Sequence, residues 1–166
     1  MSKELKIIFI FIFLLPILGF VMLVVKDSSP YPVLSNISGL ESAPTSYTLG
    51  NVPRLGGLIT KEYIVKNTTD KSMKLKKITT SCMCTKAKVI IRNIETPYFS
   101  LEHNGDKNAP INIVINPGQE AKVIVQFDPN AHGPQGLGYL DRSIQLMFSN
   151  PVAVKELTFN VTVVEK

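Results

Sequence analysis

The only thiols in this 166-residue chain are Cys82 and Cys84, in the run Ser81-Cys82-Met83-Cys84-Thr85. Two thiols one residue apart admit few chemistries. They form a disulfide, hold a soft metal as paired thiolates, exchange electrons as a dithiol, or pack inward as small hydrophobes. In a regular strand both point to one face, with Cα atoms about 6.6 Å apart. That is the long edge of the disulfide range, about 4.4–6.8 Å, so a Cys82–Cys84 disulfide there is strained and easily reduced. A turn at Met83 relaxes it. Two thiolates on one face with a thioether nearby make a soft site suited to Cu(I), so Cys82 and Cys84 are the candidate metal ligands.

The competing chemistries find less support. Dithiol redox enzymes usually place Cys-x-x-Cys at a helix start, where the dipole lowers one thiol pKa, and no helical period occurs here. A closed zinc site needs four ligands. His103 and His132 are distant loop residues expected to face solvent. Ser81 and Ser143 have no recognisable His/Asp partners, and Gly133-Pro134-Gln135-Gly136-Leu137-Gly138 lacks the Lys-Ser/Thr of a phosphate loop. The chain is therefore expected not to be an enzyme, with no catalytic residues and copper as its one candidate cofactor.

The elements that must position the thiols are strands. Period-two alternation places Ala121, Val123, Val125 and Phe127 on one face. It does the same for Ile144, Leu146 and Phe148, and for Leu157, Phe159, Val161 and Val163. Further strands are predicted at 58–66, 73–80, 86–92 and 111–115, separated by turn residues such as Asn116-Pro117-Gly118 and Ser149-Asn150-Pro151. About seven short strands with one buried face each predict an all-β two-sheet sandwich. Its inward residues can sustain the fold without a disulfide, at roughly 1.5–3 kcal/mol per large side chain.

Residues 7–25 are 19 uncharged residues, long enough as a helix to cross a hydrocarbon core of about 30 Å. Pro16 within them is tolerated in lipid. No small-x-small cleavage site follows, so this segment is expected to be an uncleaved single-span anchor. Lys3 and Lys6 outweigh Lys26 on the flanks, which puts residues 1–6 in the cytoplasm and the remainder outside it, periplasmic or at the cell surface. Residues 26–46, with Pro30, Pro32 and Pro44, are expected to be a tether, and residues 47–166 one domain. The formal charge is +5, concentrated in residues 61–92, where nine Lys/Arg face only Glu62 and Asp70. Those lysines alternate with apolar residues as a strand's solvent face does, so no nucleic-acid partner is expected.

The order of signals resembles a known family. Leu49-Gly50-Asn51-Val52 is followed by Gly57, Tyr63-Ile64-Val65-Lys66-Asn67 and the Cys-x-Cys. Then come Asn116-Pro117-Gly118-Gln119-Glu120, Val125-Gln126-Phe127-Asp128, Gly138 and Ser149-Asn150-Pro151. This is similar to the bacterial domain of unknown function 1573 family, over residues 47–166. The resemblance implies an immunoglobulin-like sandwich related to the Hydin and major-sperm-protein group, and an envelope setting. It implies no reaction. The chain departs from the pattern in two places: Met83 stands where the family usually has Gly, and residues 90–110 look like an insertion. The copper-insertion factors of cytochrome oxidase also join one span to an immunoglobulin-like domain with a Cys-Phe-Cys-Phe motif, but Thr85 replaces the second aromatic here.

The expectation is thus a single-pass membrane protein that displays a non-catalytic binding or scaffold domain to another envelope protein, through residues 93–110 and the loop 129–139. The alternative is Cu(I) handling or thiol redox chemistry at Cys82 and Cys84.

Overall fold

Apolar and polar residues alternate along most of the chain, and the strands follow that alternation. A computed structural model describes residues 39–102 and 107–166. Among them run β1 (Leu40–Ala43), β2 (Ser46–Pro53), β3 (Ile59–Asn67), β4 (Met73–Thr80) and β5 (Thr85–Ile91), then β6 (Ile94–Glu95), β7 (Ile113–Ile115), β8 (Glu120–Phe127), β9 (Gly138–Ser149) and β10 (Val152–Val164). They form two five-stranded sheets, ordered β1-β3-β8-β5-β6 and β2-β10-β9-β4-β7. All pairings are antiparallel except β2 with β10, which is parallel.

The inward faces meet as an all-β two-sheet sandwich. Tyr63, Val65, Ala87, Val89, Val123 and Val125 bury from one sheet, against Leu75, Ile78, Ile144, Leu146, Leu157 and Val161 from the other. Each large side chain so buried stabilises the fold by about 1.5–3 kcal/mol. Tyr63, the largest of them, donates its hydroxyl to the Thr158 carbonyl at 2.8 Å, which ties β3 to β10 across the core.

Ten strands replace the seven expected. The additions are β1, β2 and β6, which lack a buried alternating face: β2 buries only Val52, and both residues of β6 are exposed. They are edge or hairpin strands held mainly by backbone pairing, which leaves little trace in the hydrophobic pattern. The expected tether loses its last residues, because Leu40–Ala43 pairs with β3. Within the segment read as an insertion, described residues pack against the sheets. Phe99 is buried and bridges to Ala87, and Asn108 Nδ2 donates to Ile78 O and Ser100 O. Among the described residues no helix is long and apolar enough to cross a membrane, and the expected anchor, residues 7–25, lies outside them, as does His103.

Candidate metal centre

Two connections between the sheets lie side by side at one end of the sandwich. The turn from β4 to β5 passes from one sheet to the other, and the loop from β8 to β9 passes back. Because β5 pairs with β8 and β4 with β9, the two crossings are neighbours. The first carries Cys82 and Cys84. The second carries His132.

The cysteines sit on a tight turn, one of the two arrangements the sequence left open, and not on a strand face. Thr85 N donates to Cys82 O at 3.1 Å, and Thr80 Oγ1 donates to the Cys82 and Thr85 carbonyls at 2.9 and 3.0 Å. Met83 occupies the turn without a left-handed φ, which among the described non-glycine residues is confined to Arg92. The family's usual glycine is thus not required here. Ser81 is anchored to β9 by its own N–H to Ser143 O at 3.0 Å and by Ser143 N–H to Ser81 Oγ at 2.9 Å.

His132 is held by a chain of backbone bonds. Asp128 N donates to Cys84 O at 2.9 Å, and Ala131 N and Gly133 N close successive turns on Asp128 O and Asn130 O. Gly133 takes a left-handed φ of 57°, which lets the chain turn sharply after the histidine into a short 3-10 turn, Gly133–Gly136. Arg54 Nη1 donates to Asn130 Oδ1 at 2.7 Å while its other nitrogens grip both oxygens of Glu165.

The result is a cluster. Cys82 Sγ, Cys84 Sγ and one ring nitrogen of His132 all lie within 4.8 Å of one another, and His132 Nε2 is 3.2 Å from Cys82 Sγ. Sequence reasoning named both thiols and expected His132 to be an exposed loop residue, which it is, but took it to be distant from them, and that is corrected here. Its ring is exposed, yet it faces Cys82. No sequence signal marks a meeting of residues fifty apart. Both thiols are free, Cys84 buried and Cys82 half-buried.

A second residue was missed. Arg142 on β9 donates from Nε to Cys84 Sγ at 3.2 Å, and its Nη1 is held by the Asp141 carbonyl at 2.8 Å. The site is electrostatically asymmetric. Burial works against ionisation of Cys82. Hydrogen bonds from the Cys84 thiol, His132 and the Cys84 N–H, with the charge of Arg142, outweigh it and bring that thiol below its ordinary pKa. Burial, and then the bond its own proton makes to Cys82, hold Cys84 above it, against the pull of Arg142 and Thr85. The first proton therefore leaves Cys82.

Two thiolates and an imidazole, drawn from turns and open on the His132 side, suit a soft ion such as Cu(I). Zinc also takes these donors but would keep a fourth position open. Beside the thiols lies a cleft of about 180 Å³ lined by Leu58, Met83, Cys84 and Asp128 among others. Leu58 and Met83 are 64% and 60% exposed, an apolar rim on a polar end.

No family model matches the chain, and no curated protein matches it. The likeness drawn from the motifs therefore rests on those motifs alone, and the structure shows an all-β two-sheet sandwich. Among solved structures, a protein of unknown function from Porphyromonas gingivalis superposes with a TM-score of 0.52 at 14% identity, over 81% of this chain and 51% of that one. The VesB protease of Vibrio cholerae gives 0.47 at 12% identity, over 75% and 32%. A PapD-like domain of human CEP192 gives 0.41 at 14%, over 82% and 99%. The chain thus spans about half the length of the Porphyromonas protein and a third of the protease. The likeness to the Porphyromonas protein shows the fold alone. The expectation that the chain is not an enzyme is corrected on the geometry of the site: the structure supplies what the sequence lacked, a thiol beside an imidazole.

Proposed function

We propose that this domain is a Cu(I)-handling module, a rigid sandwich that carries one ion on Cys82, Cys84 and His132. The convergence of the two thiols and the imidazole within 4.8 Å carries the reading. Cys84 is buried and bonded to Arg142, so it serves as the fixed ligand, while exposed His132 is the ligand that can let go. Ions pass between proteins by ligand exchange, and a site with one exposed ligand on an apolar-rimmed surface suits that task. In this reading the chain is a member of the domain of unknown function 1573 family. Residues 7–25 anchor it in a membrane, and the sandwich stands outside the cytoplasm, where it meets another envelope protein. The motif order and the charge bias of the flanking segments support those parts.

The test is anaerobic Cu(I) titration of the reduced domain against a chromogenic chelator. One ion per domain is expected, with Cys82→Ser and Cys84→Ser each weakening binding more than about 100-fold and His132→Ala about tenfold. A wild-type domain that leaves all copper with the chelator sinks the proposal.

The contact between Cys82 and His132 favours a second reading, thiol–disulfide exchange. The Cys82 thiolate attacks a partner's disulfide, and Cys84 then displaces the partner from the mixed disulfide. The partner leaves as a dithiol, and the two electrons it gains leave a Cys82–Cys84 disulfide here. Turnover in an insulin-reduction assay supports this reading, and its absence removes it.

A further inference from the structure

We propose that Arg142 makes this centre discriminate in favour of a monovalent ion over a divalent one. The inference rests on the metal-binding reading of the same three ligands. Arg142 Nε lies 3.2 Å from Cys84 Sγ, and the guanidinium is fixed by its bond to the Asp141 carbonyl. It is half-buried on β9. Two charged groups, Lys86 and Asp128, line the cleft beside Cys84, and they are of opposite sign. Among the described residues neither is bonded to a thiol sulfur, and the Asp128 carboxylate caps its own turn by accepting from Asn130 N at 2.9 Å. Asp141 turns its carboxylate away, to the Tyr139 hydroxyl at 2.9 Å. Arg142 is thus the charge that acts on the ligand sulfur.

The charge count follows. Two thiolates, a monovalent ion and one guanidinium sum to zero. Exchange the ion for a divalent one, and the same set carries an uncompensated positive charge beside a guanidinium that cannot lose its proton. Both metals displace the same thiol protons and use the same donors, so those costs cancel in the ratio of the two affinities. What survives is one extra unit of charge next to Arg142. At a half-exposed site this shifts the affinity ratio by about tenfold. Arg142 is a selectivity residue that acts through its charge and touches no metal.

The experiment measures Cu(I) and Zn(II) affinities by chelator competition, anaerobically and at one pH, for the wild-type chain, Arg142→Lys and Arg142→Met. For Arg142→Met, the Zn(II) affinity relative to Cu(I) rises about tenfold, while Arg142→Lys stays within about threefold of wild type. A purely structural role would lower both affinities together and leave the ratio unmoved, and that result overturns the inference. So does a shift of the ratio in Arg142→Lys as large as in Arg142→Met. If Arg142→Met does not fold, Arg142→Gln takes its place with the same expectations. If the wild-type chain binds Zn(II) but no Cu(I), the proposed function fails and the inference with it. Cu(I) bound normally with an unmoved ratio overturns the inference alone.

Discussion

His132 Nε2 lies 3.2 Å from Cys82 Sγ, although fifty residues separate them. The contact exists because the β4–β5 and β8–β9 connections cross between the sheets side by side. It joins an imidazole to the thiol whose ionisation the site promotes.

The two cysteines should therefore differ in reactivity. Cys82 lies below the ordinary thiol pKa and Cys84 above it, so iodoacetamide labels Cys82 first. The midpoint of its rate against pH falls below that of an ordinary thiol, and that of Cys84 rises above it. Removing the imidazole with His132→Ala moves the Cys82 midpoint upward and slows labelling at pH 7. Peptide mapping by mass spectrometry across pH reads both sites. Equal rates at Cys82 and Cys84 would contradict the arrangement.

Tyr63 should make the fold sensitive to alkali. Burial, and then the neighbouring Tyr47, push its hydroxyl well above the ordinary tyrosine value. A raised folded pKa gives stability that is fully present below the unfolded value, about 10, and is lost as pH rises from there towards the folded pKa. Tyr63→Phe loses the bond to Thr158 O, at a cost of about 1 kcal/mol at pH 7.5. That lowers Tm by roughly 3–6 °C. The variant no longer titrates here, so the gap to wild type closes near pH 10.5. Thermal melts at both pH values check this, and a gap that stays constant counts against it.

Asn67 ties the strand ends opposite the thiols. Its Nδ2 donates to Lys71 O at 2.8 Å and Ile115 O at 2.9 Å, and its Oδ1 accepts from Thr69 N and Oγ1, with the residue fully buried. Asn67→Ala strands several of these partners and should cost about 2–3 kcal/mol in urea denaturation. Because the site is at the other end, Cu(I) affinity should hold within about twofold for separate sites.

Arg54 braces the loop that presents His132. In Arg54→Ala the Asn130 bond is gone and the loop must be ordered by the ion itself. Cu(I) affinity is expected to fall about fivefold through faster release, with Tm lowered by only a few degrees, since Glu165, the partner in the lost bidentate pair, is exposed. Stopped-flow transfer to a chelator measures the release rate. An unaltered rate would show that the loop holds its shape without Arg54.

The strands that build the core were legible because each declares itself locally. In β8, Ala121, Val123, Val125 and Phe127 are all buried, as their alternation implies. Strand β4 runs over 73–80, as its own alternation predicts. Strands β1 and β2 were not legible, since backbone pairing at an edge imposes no apolar period. The turn at Cys82–Thr85 was left as one of two alternatives for a similar reason. Thr80 and the Thr85 N–H hold it through carbonyl bonds that no residue type announces.

By itself the sequence determined that strands stack into two sheets and that Cys82 and Cys84 belong to one local group, since alternation and adjacency are properties of neighbouring residues. Only the tertiary structure decided that His132 joins them and that Arg142 bonds to Cys84. Those meetings depend on which strands pair across the sheets. Pairing is settled by the packing of the whole core, so residues fifty and fifty-eight positions away reach the same sulfur pair.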